Sequence, residues 1–209
     1  MQLYSYFRSS ASYRVRIALA LKGLSYQTIA IHLVKGKHKE EPFISVNPQT
    51  RVPALKTDDE KILIQSLAII DWLDETHPQP PLLPTDPLLR ARVRACAHII
   101  AMDVHPLGNT GPRNYLLKVL NLDLETVDAW TRHWIEDGFS AVERMIEPAP
   151  YSFGAQPTLA DICLVPQVFN ARRYKVDMAK FPKIVAVDEA CQRNPAFAAA
   201  APAAQPDAE

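Results

Sequence analysis

The first 80 residues alternate between strand-like and helix-like segments, which is typical of an α/β domain. Short runs rich in aromatic or β-branched residues predict strands at residues 3–7, 26–31, 54–57 and 61–64. Apolar residues recur at helical spacing over residues 15–24 and again over residues 67–75. The first of these helices is apolar over most of its circumference, so we expect it to pack on the sheet.

A proline-rich run over residues 76–87 separates this region from a second pattern. Such a run cannot continue a helix or join a central strand, and it is typical of a linker between domains. Beyond it, helical periodicity is found at residues 88–104, 125–146, 158–173 and 181–193. The chain is therefore predicted to divide into an α/β domain over residues 1–80 and an all-helical domain over residues 81–209, with no structure assigned to residues 194–209.

Composition limits the classes of function. Lys and Arg number 23, as do Asp and Glu, so the neutral charge gives no reason to expect a nucleic-acid partner or an anionic membrane surface. No apolar run is long enough for a membrane span, and the N-terminus lacks the features of a signal peptide. Three widely spaced cysteines favour neither disulfides nor zinc, and His98 and His105 are too far apart for one ion. A cytoplasmic protein without a metal site is expected.

Three serines, Ser9, Ser10 and Ser12, stand at the predicted start of the first helix. Backbone N–H groups lack partners at a helix N-terminus, where the helix dipole is also positive, so hydroxyls at this position suit the stabilisation of an anion. Serine is equally a favoured helix cap, and from these residues alone capping is the simpler interpretation. The turn is thus either a cap or an anion site.

Other polar residues are predicted to have structural roles. Thr158 and Asp161 have the spacing of a capping box in which Asp replaces Glu or Gln. Basic and acidic residues alternate over residues 35–41, which predicts an exposed loop. Surface positions are expected for three arginines, Arg14, Arg16 and Arg172.

Several motifs together resemble the soluble glutathione transferases and, within them, the zeta class. The turn S-S-A-S-Y-R-V-R-I-A-L at residues 9–19 is similar to the zeta signature S-S-C-S-x-R-V-R-I-A-L, and N-P-Q-T-R-V-P-A-L at residues 47–55 is similar to its partner motif. Further matches lie at residues 103–106, 151–154 and 171–177. This resemblance covers nearly the whole chain and implies a thioredoxin-like domain followed by an all-helical domain, acting as a homodimer.

The same resemblance implies glutathione as the cofactor. Val52 is expected to present its backbone to the tripeptide in strand fashion, before a cis Pro53. Gln65 and Ser66 stand at a helix start suited to the γ-glutamyl carboxylate. The full set of expected glutathione contacts is Gln49, Val52, Pro53, Gln65, Ser66, His105 and Asn109.

Zeta-class members include maleylacetoacetate isomerases, and bacterial relatives isomerise maleylpyruvate. Such an isomerisation needs a nucleophile that adds to a double bond, permits rotation and leaves, which suits a thiolate. Ala11 stands where the family usually has a cysteine, so the sulfur has to come from glutathione. Ser10 is the first choice for stabilising that thiolate, and Ser9 and Ser12 are the alternatives.

The implied substrate is a small dicarboxylate, which calls for cations in the site. Arg8 and Arg173 are the expected carboxylate clamps, because a guanidinium can grip a carboxylate bidentately and keeps its charge. Arg113 is a third candidate.

Two other functions fit the same sequence. A transferase that conjugates or dehalogenates small halo-acids would share the thiolate site but consume glutathione. A non-catalytic glutathione-transferase-like interaction module is expected to lack the hydroxyl turn or the Gln65-Ser66 pair, and both are present.

Overall fold

A four-stranded mixed sheet lies at the centre of the N-terminal part of the chain. The structure is a computed structural model that describes residues 1–209. Its strands are β1 (Gln2–Ser5), β2 (Gln27–Ala30), β3 (Ala54–Lys56) and β4 (Ile62–Ile64), in the spatial order β2-β1-β3-β4. β1 pairs with β2 in parallel and with β3 in antiparallel register, and β3 and β4 form the predicted hairpin.

Three helices accompany this sheet: α1 (Ser10–Leu21), the short α2 (Phe43–Val46) and α3 (Ser66–Thr76). α1 is buried over most of its surface, in agreement with its apolar circumference. The exposed loop predicted over residues 35–41 contains one 3₁₀ turn, Lys37–Lys39. The sheet and these helices form the thioredoxin-like fold that the resemblance implied.

The chain forms two compact units, the first comprising residues Met1–Pro81 and Arg193–Glu209 and the second residues Leu82–Gln192. The second unit is helical: α4 (Pro87–His98), a π-helical turn (Ile99–Val104), α5 (Thr110–Lys118), α6 (Leu124–Met145), α7 (Leu159–Arg173) and α8 (Pro182–Gln192). None of the helices has both the length and the hydrophobicity needed to cross a membrane.

The start of α7 confirms the predicted capping box. The Asp161 carboxylate accepts from the backbone N–H of Thr158 at 2.7 Å, from its hydroxyl at 3.0 Å and from the N–H of Ser152 at 2.8 Å. Burial raises the pKa of Asp161, and these hydrogen bonds oppose that shift.

Several elements of the structure were not predicted from the sequence. Residues 194–209, left without structure, form α9 (Pro195–Ala200) and a 3₁₀ turn (Pro202–Ala204), and they pack with the first unit rather than with the helical one. α5 was not predicted, because its polar sequence buries no residue. The continuous helix expected over residues 88–104 changes to π-helical geometry at Ile99.

Two arginines expected at the surface are buried instead. Arg14 is 2% exposed and Arg16 is 1% exposed, since α1 has almost no face that meets solvent. Arg172 is exposed as predicted, and its guanidinium pairs with the buried Asp188.

Candidate active site

The three serines after β1 have different environments. Ser9 is the N-cap of α1, and its hydroxyl accepts from the backbone N–H of Ser12 at 3.2 Å. A hydroxyl that accepts one hydrogen bond still has its own proton to donate. Ser10 is the first helical residue and is 6% exposed, whereas Ser12 is fully buried and its hydroxyl has no hydrogen-bond partner. The capping interpretation is thus correct for Ser9, and Ser10 stands among the first backbone N–H groups of the helix.

Arg16 holds the turn that leads into these serines. Its guanidinium donates to the carbonyls of Phe7 at 3.0 Å and Tyr6 at 3.4 Å, and to the Ser5 hydroxyl at 3.1 Å. Burial lowers its pKa to about 10. Sequence reasoning missed this role, although a charged residue inside a helix that is apolar on nearly all sides is a usable signal of a buried, hydrogen-bonded group.

Arg8 belongs to the same turn and is half-buried. Its guanidinium donates to the Tyr6 hydroxyl at 3.0 Å and stands 5.1 Å from the centre of the Phe7 ring. Arg8 forms no salt bridge, but its charge adds to the hydrogen bond from His32 in lowering the pKa of the Glu209 carboxyl. The backbone N–H of Phe7 donates to Asp207 of the C-terminal segment at 3.0 Å, which fixes the residue before Arg8.

The loop before β3 brings two of the predicted glutathione contacts together. The side-chain amide of Gln65 donates to that of Gln49 at 2.8 Å. Asn47, which is 1% exposed, shapes this loop because its side chain donates to the carbonyl of Arg51 at 2.6 Å and accepts from the N–H of Gln49 at 3.0 Å. Asn47 was not predicted as a site residue. Its position at the start of the N-P-Q-T-R-V-P-A-L motif could have indicated that it shapes the loop.

The Val52-Pro53 peptide bond is cis, as the resemblance implied. Both residues are buried, and Val52 belongs to an apolar cluster with Tyr6, Phe7 and Phe43. The side chain of Val52 is thus packed in the core, which fixes the position of its backbone.

The N-terminus of α3 is not capped by a side chain. Gln65, its N-cap, has φ 69° and ψ 118°, a conformation that is costly for a residue with a Cβ and that is found mainly at functional sites. Ser66 is 6% exposed, and its hydroxyl accepts from the Arg14 guanidinium at 3.3 Å. Free N–H groups, a helix dipole and a nearby cation are together suited to a carboxylate.

In the second unit, His105 and Asn109 lie on the segment that links the π-helical turn to α5. The backbone N–H of His105 donates to the carbonyl of Ile100 at 3.0 Å, a π-type bond that fastens His105 to the turn. Asn109 is the N-cap of α5, and its side-chain oxygen accepts from the N–H of Thr110 at 2.8 Å. Both residues are half-buried.

The two arginine candidates of the second unit share one aromatic ring. The guanidinium of Arg113 stands 4.7 Å from the centre of the Tyr174 ring, and that of Arg173 stands 5.1 Å from it. Arg113 is paired with Asp128 at 2.6 Å and also donates to the carbonyl of Val127 at 3.1 Å. Arg173 is exposed and forms no salt bridge, which leaves its charge available to a ligand.

A cavity of about 470 Å³ in the first unit contains none of the predicted site residues. It is lined by Asp58 and Asp59 together with Trp72 and His77. Carboxylates repel an anionic substrate, so this cavity does not suit a dicarboxylate.

All three cysteines are reduced and buried. Burial raises the pKa values of the Cys96 and Cys191 thiols, which disfavours their thiolate forms. Because all three are buried, no cysteine of the chain is accessible to act as a nucleophile.

Comparison with known proteins places these features in a family. Residues 3–81 match the pattern of the glutathione S-transferase N-terminal domain, and residues 125–199 match that of the C-terminal domain. A maleylpyruvate isomerase from Ralstonia sp. is 50% identical over 99% of both chains.

Two solved structures add to this. The holo structure of a maleylpyruvate isomerase, described as a bacterial zeta-class glutathione S-transferase, is 49% identical with a TM-score of 0.96 over all of both chains. A maleylacetoacetate isomerase from Anaeromyxobacter dehalogenans is 38% identical with a TM-score of 0.88, over 100% of this chain and 93% of its own, and holds dicarboxyethyl glutathione and citrate in its active site.

Proposed function

Because the chain belongs to the glutathione S-transferase family, we propose that it is a glutathione-dependent cis–trans isomerase that converts maleylpyruvate or maleylacetoacetate to the fumaryl isomer. One observation carries the proposal. Arg8, a cation that forms no salt bridge, immediately precedes the hydroxyl-bearing N-terminus of α1. This turn offers a carboxylate anchor beside a position suited to a thiolate.

Glutathione is the cofactor, and several groups in the first unit match its parts. The uncapped start of α3, with Gln65, Ser66 and Arg14, suits the γ-glutamyl carboxylate. Val52 offers its backbone to the cysteinyl residue, before the cis Pro53. Gln49 is positioned by its bond to Gln65 to take part in the same contact region. From the second unit, His105 and Asn109 are proposed as further contacts.

The hydroxyl of Ser10 is proposed to donate a hydrogen bond to the glutathione sulfur. A thiol near its usual pKa is mostly protonated at neutral pH, so the site has to favour the anion. A charge-assisted hydrogen bond and the positive end of α1 act in that direction, and each unit of pKa lowering requires about 1.4 kcal/mol of differential stabilisation.

Arg8 and Arg173 are proposed to bind the carboxylates of the substrate. The Arg113 side chain already pairs with Asp128 and Val127, which favours an anchoring role on α6 over a direct contact with substrate. A guanidinium beside the reacting carbons also stabilises the negative charge that develops during the addition.

The proposed isomerisation needs no reactant other than glutathione and the maleyl acid. The thiolate adds to one carbon of the cis double bond, and the π electron pair moves to the conjugated carbonyl oxygen as an enolate. Rotation occurs about the resulting single bond, after which the electron pair returns, the trans double bond forms and the thiolate leaves. The dicarboxyethyl glutathione in the Anaeromyxobacter relative is a thioether of the type that such an addition would form, which supports this route.

The decisive experiment is an assay of the purified protein on both maleyl acids, with and without glutathione. We expect the fumaryl isomer only when glutathione is present, with the glutathione concentration unchanged at the end of the reaction. Equal conversion without the thiol would refute the mechanism, and consumption of glutathione would indicate conjugation instead.

Variants of the two proposed clamps extend this assay. Arg8→Ala and Arg173→Ala should raise KM for the maleyl acid by about tenfold or more, because each removes a charge-assisted contact. Their KM for glutathione should change much less. Arg94→Ala, at another exposed arginine, is the control and should match the wild type. An unchanged KM for the acid would remove the residue concerned from the clamp.

We further propose that the protein acts as a cytoplasmic homodimer. Family membership supports the dimer, and the three free cysteines suit a reducing compartment. Light scattering coupled to size-exclusion chromatography is expected to give twice the 23.4 kDa mass of one chain.

A further inference from the structure

The longest helix of the second unit, α6, contains a glycine in its interior. Glycine is costly there because it loses more backbone freedom on folding than alanine does. Gly138 is buried, and a Cβ built on it would stand 2.1 Å from Cγ2 of Val104. The glycine therefore allows an approach between α6 and the π-helical turn that no side chain would permit.

The partner in this contact is the last residue of the π-helical turn. Val104 is 3% exposed and directly precedes His105, whose backbone N–H is bonded to Ile100 within the same turn. A π-helical turn adds one residue to a helical turn and so rotates the following side chains by roughly 100° relative to a continuous α-helix. The turn thus sets the direction in which His105 points, and Gly138 sets how close the turn lies to α6.

Other contacts place the rest of this segment on the same helix. The indole N–H of Trp130 donates to the carbonyl of Leu107 at 3.2 Å. A Cβ on Gly108 would stand 3.1 Å from Cγ2 of Thr131, which marks a second close approach. Residues 131 and 138 are seven positions apart and therefore lie on one face of α6. α6 therefore packs against the segment that carries His105 and Asn109 and positions it.

We propose that Gly138 is a positioning residue for glutathione binding, which acts through Val104 and the π-helical turn on His105. This inference rests on the proposed role of His105 as a glutathione contact. It is independent of the isomerase step, because it concerns the affinity for the cofactor and not the chemistry that follows.

The first test is Gly138→Ala, with glutathione affinity measured by calorimetry in the absence of any maleyl acid. The added methyl has to push Val104 away, so we expect the Kd for glutathione to rise by about tenfold. In the isomerase assay, the KM for glutathione should rise in parallel, with kcat at saturating glutathione within about twofold of the wild type. Gly111→Ala on α5 is the control, since a Cβ there meets nothing within 4 Å.

A second variant separates positioning from general damage to the fold. The double variant Gly138→Ala/Val104→Ala lacks the colliding methyl group of residue 104. The Cβ atoms of residues 138 and 104 would then stand 3.6 Å apart, which is an ordinary contact distance. We expect this double variant to recover glutathione affinity to within about threefold of the wild type, even though the loss of buried methyl groups lowers its stability. Loss of stability without recovery of affinity would overturn the proposal.

The last comparison uses His105→Ala. If Gly138 acts through His105, then adding Gly138→Ala to His105→Ala should weaken glutathione binding no further. Additive losses, or an unchanged affinity in His105→Ala itself, would contradict the proposal. If the protein binds glutathione but forms no fumaryl product, the proposed isomerase function is refuted. The glutathione affinities of all these variants can still be measured in that case, so the role of Gly138 is tested separately.

Discussion

Ser9, Ser10 and Ser12 show how neighbouring residues of one type divide between structure and chemistry. Ser9 caps α1 by accepting from the N–H of Ser12, and Ser12 is buried within the helix packing. Ser10 occupies the first helical position, where backbone N–H groups and the helix dipole favour an anion. Similarity to the family pattern pointed to Ser10, and the capping geometry of Ser9 is consistent with that choice.

Ser10→Ala should raise the pKa of the bound glutathione thiol, since it removes a charge-assisted donor. A loss of about 1.4 kcal/mol of thiolate stabilisation corresponds to one pKa unit and to about a tenfold lower ratio of thiolate to thiol at a given pH. The thiolate absorbance of the enzyme–glutathione complex, titrated against pH, measures this directly. Ser9→Ala is the matched comparison and should mainly destabilise α1, by about 1 kcal/mol. A larger pKa shift in Ser9→Ala would assign the donor role to Ser9.

At the scale of elements, the N-termini of α7 and α3 differ in how their backbone N–H groups are satisfied. α7 begins with a capping box, whereas α3 begins with Gln65 in an unusual backbone conformation and with no side-chain cap. The difference matches the proposed roles, because the start of α7 needs stability and that of α3 has to receive a carboxylate. Both helix starts were recognisable from sequence, but the strained φ of Gln65 was not.

Asp161→Ala tests the structural assignment of the capping box. The variant leaves the buried N–H groups of Ser152 and Thr158 without their acceptor, so we expect the free energy of unfolding to fall by about 2–3 kcal/mol. Denaturant unfolding measures this loss. Asp177→Ala, at an exposed cap of a short 3₁₀ turn, should cost clearly less. A loss of isomerase activity in Asp161→Ala with full stability would point to a catalytic role instead.

For the whole molecule, the C-terminal segment belongs with the sheet and not with the helices that precede it in sequence. Phe197 of α9 is fully buried, and the carbonyl of Ala200 accepts from the Arg16 guanidinium at 2.9 Å. Together with the Asp207 bond to Phe7, these contacts support the turn that presents Arg8 and the serines. The C-terminal segment thus folds with the first unit, although the whole helical unit lies between them in sequence.

Phe197→Ala should therefore destabilise the first unit. Removing a fully buried phenylalanine costs about 3–5 kcal/mol, and the loss should appear in the unit that contains Trp72. Trp72 fluorescence can be followed alone in a background of Trp130→Phe and Trp134→Phe, since the chain has three tryptophans. Val34→Ala, at a side chain that is 73% exposed, is the control. Unfolding of Trp72 at an unchanged denaturant concentration would contradict the placement of α9.

The sequence by itself determined the four strands, the two longer helices of the first unit, the long helices of the second unit, the hairpin, the capping box and the glutathione transferase motifs. These features depend on local periodicity, helix caps and turn residues, all of which are encoded within a few positions of each other. The sequence also showed that Ala11 stands where the family usually has a cysteine.

Only the tertiary structure decided which unit the C-terminal segment joins, that Arg14 and Arg16 are buried, and that the helix after His98 changes to a π-helical turn. Contacts between groups far apart in sequence accompany these features, such as the hydrogen bond from Arg16 to the carbonyl of Ala200 and the close approach of Gly138 to Val104 in the π-helical turn. A local pattern carries no information about which distant surface will cover a residue. Packing and the need to satisfy buried polar groups make that choice.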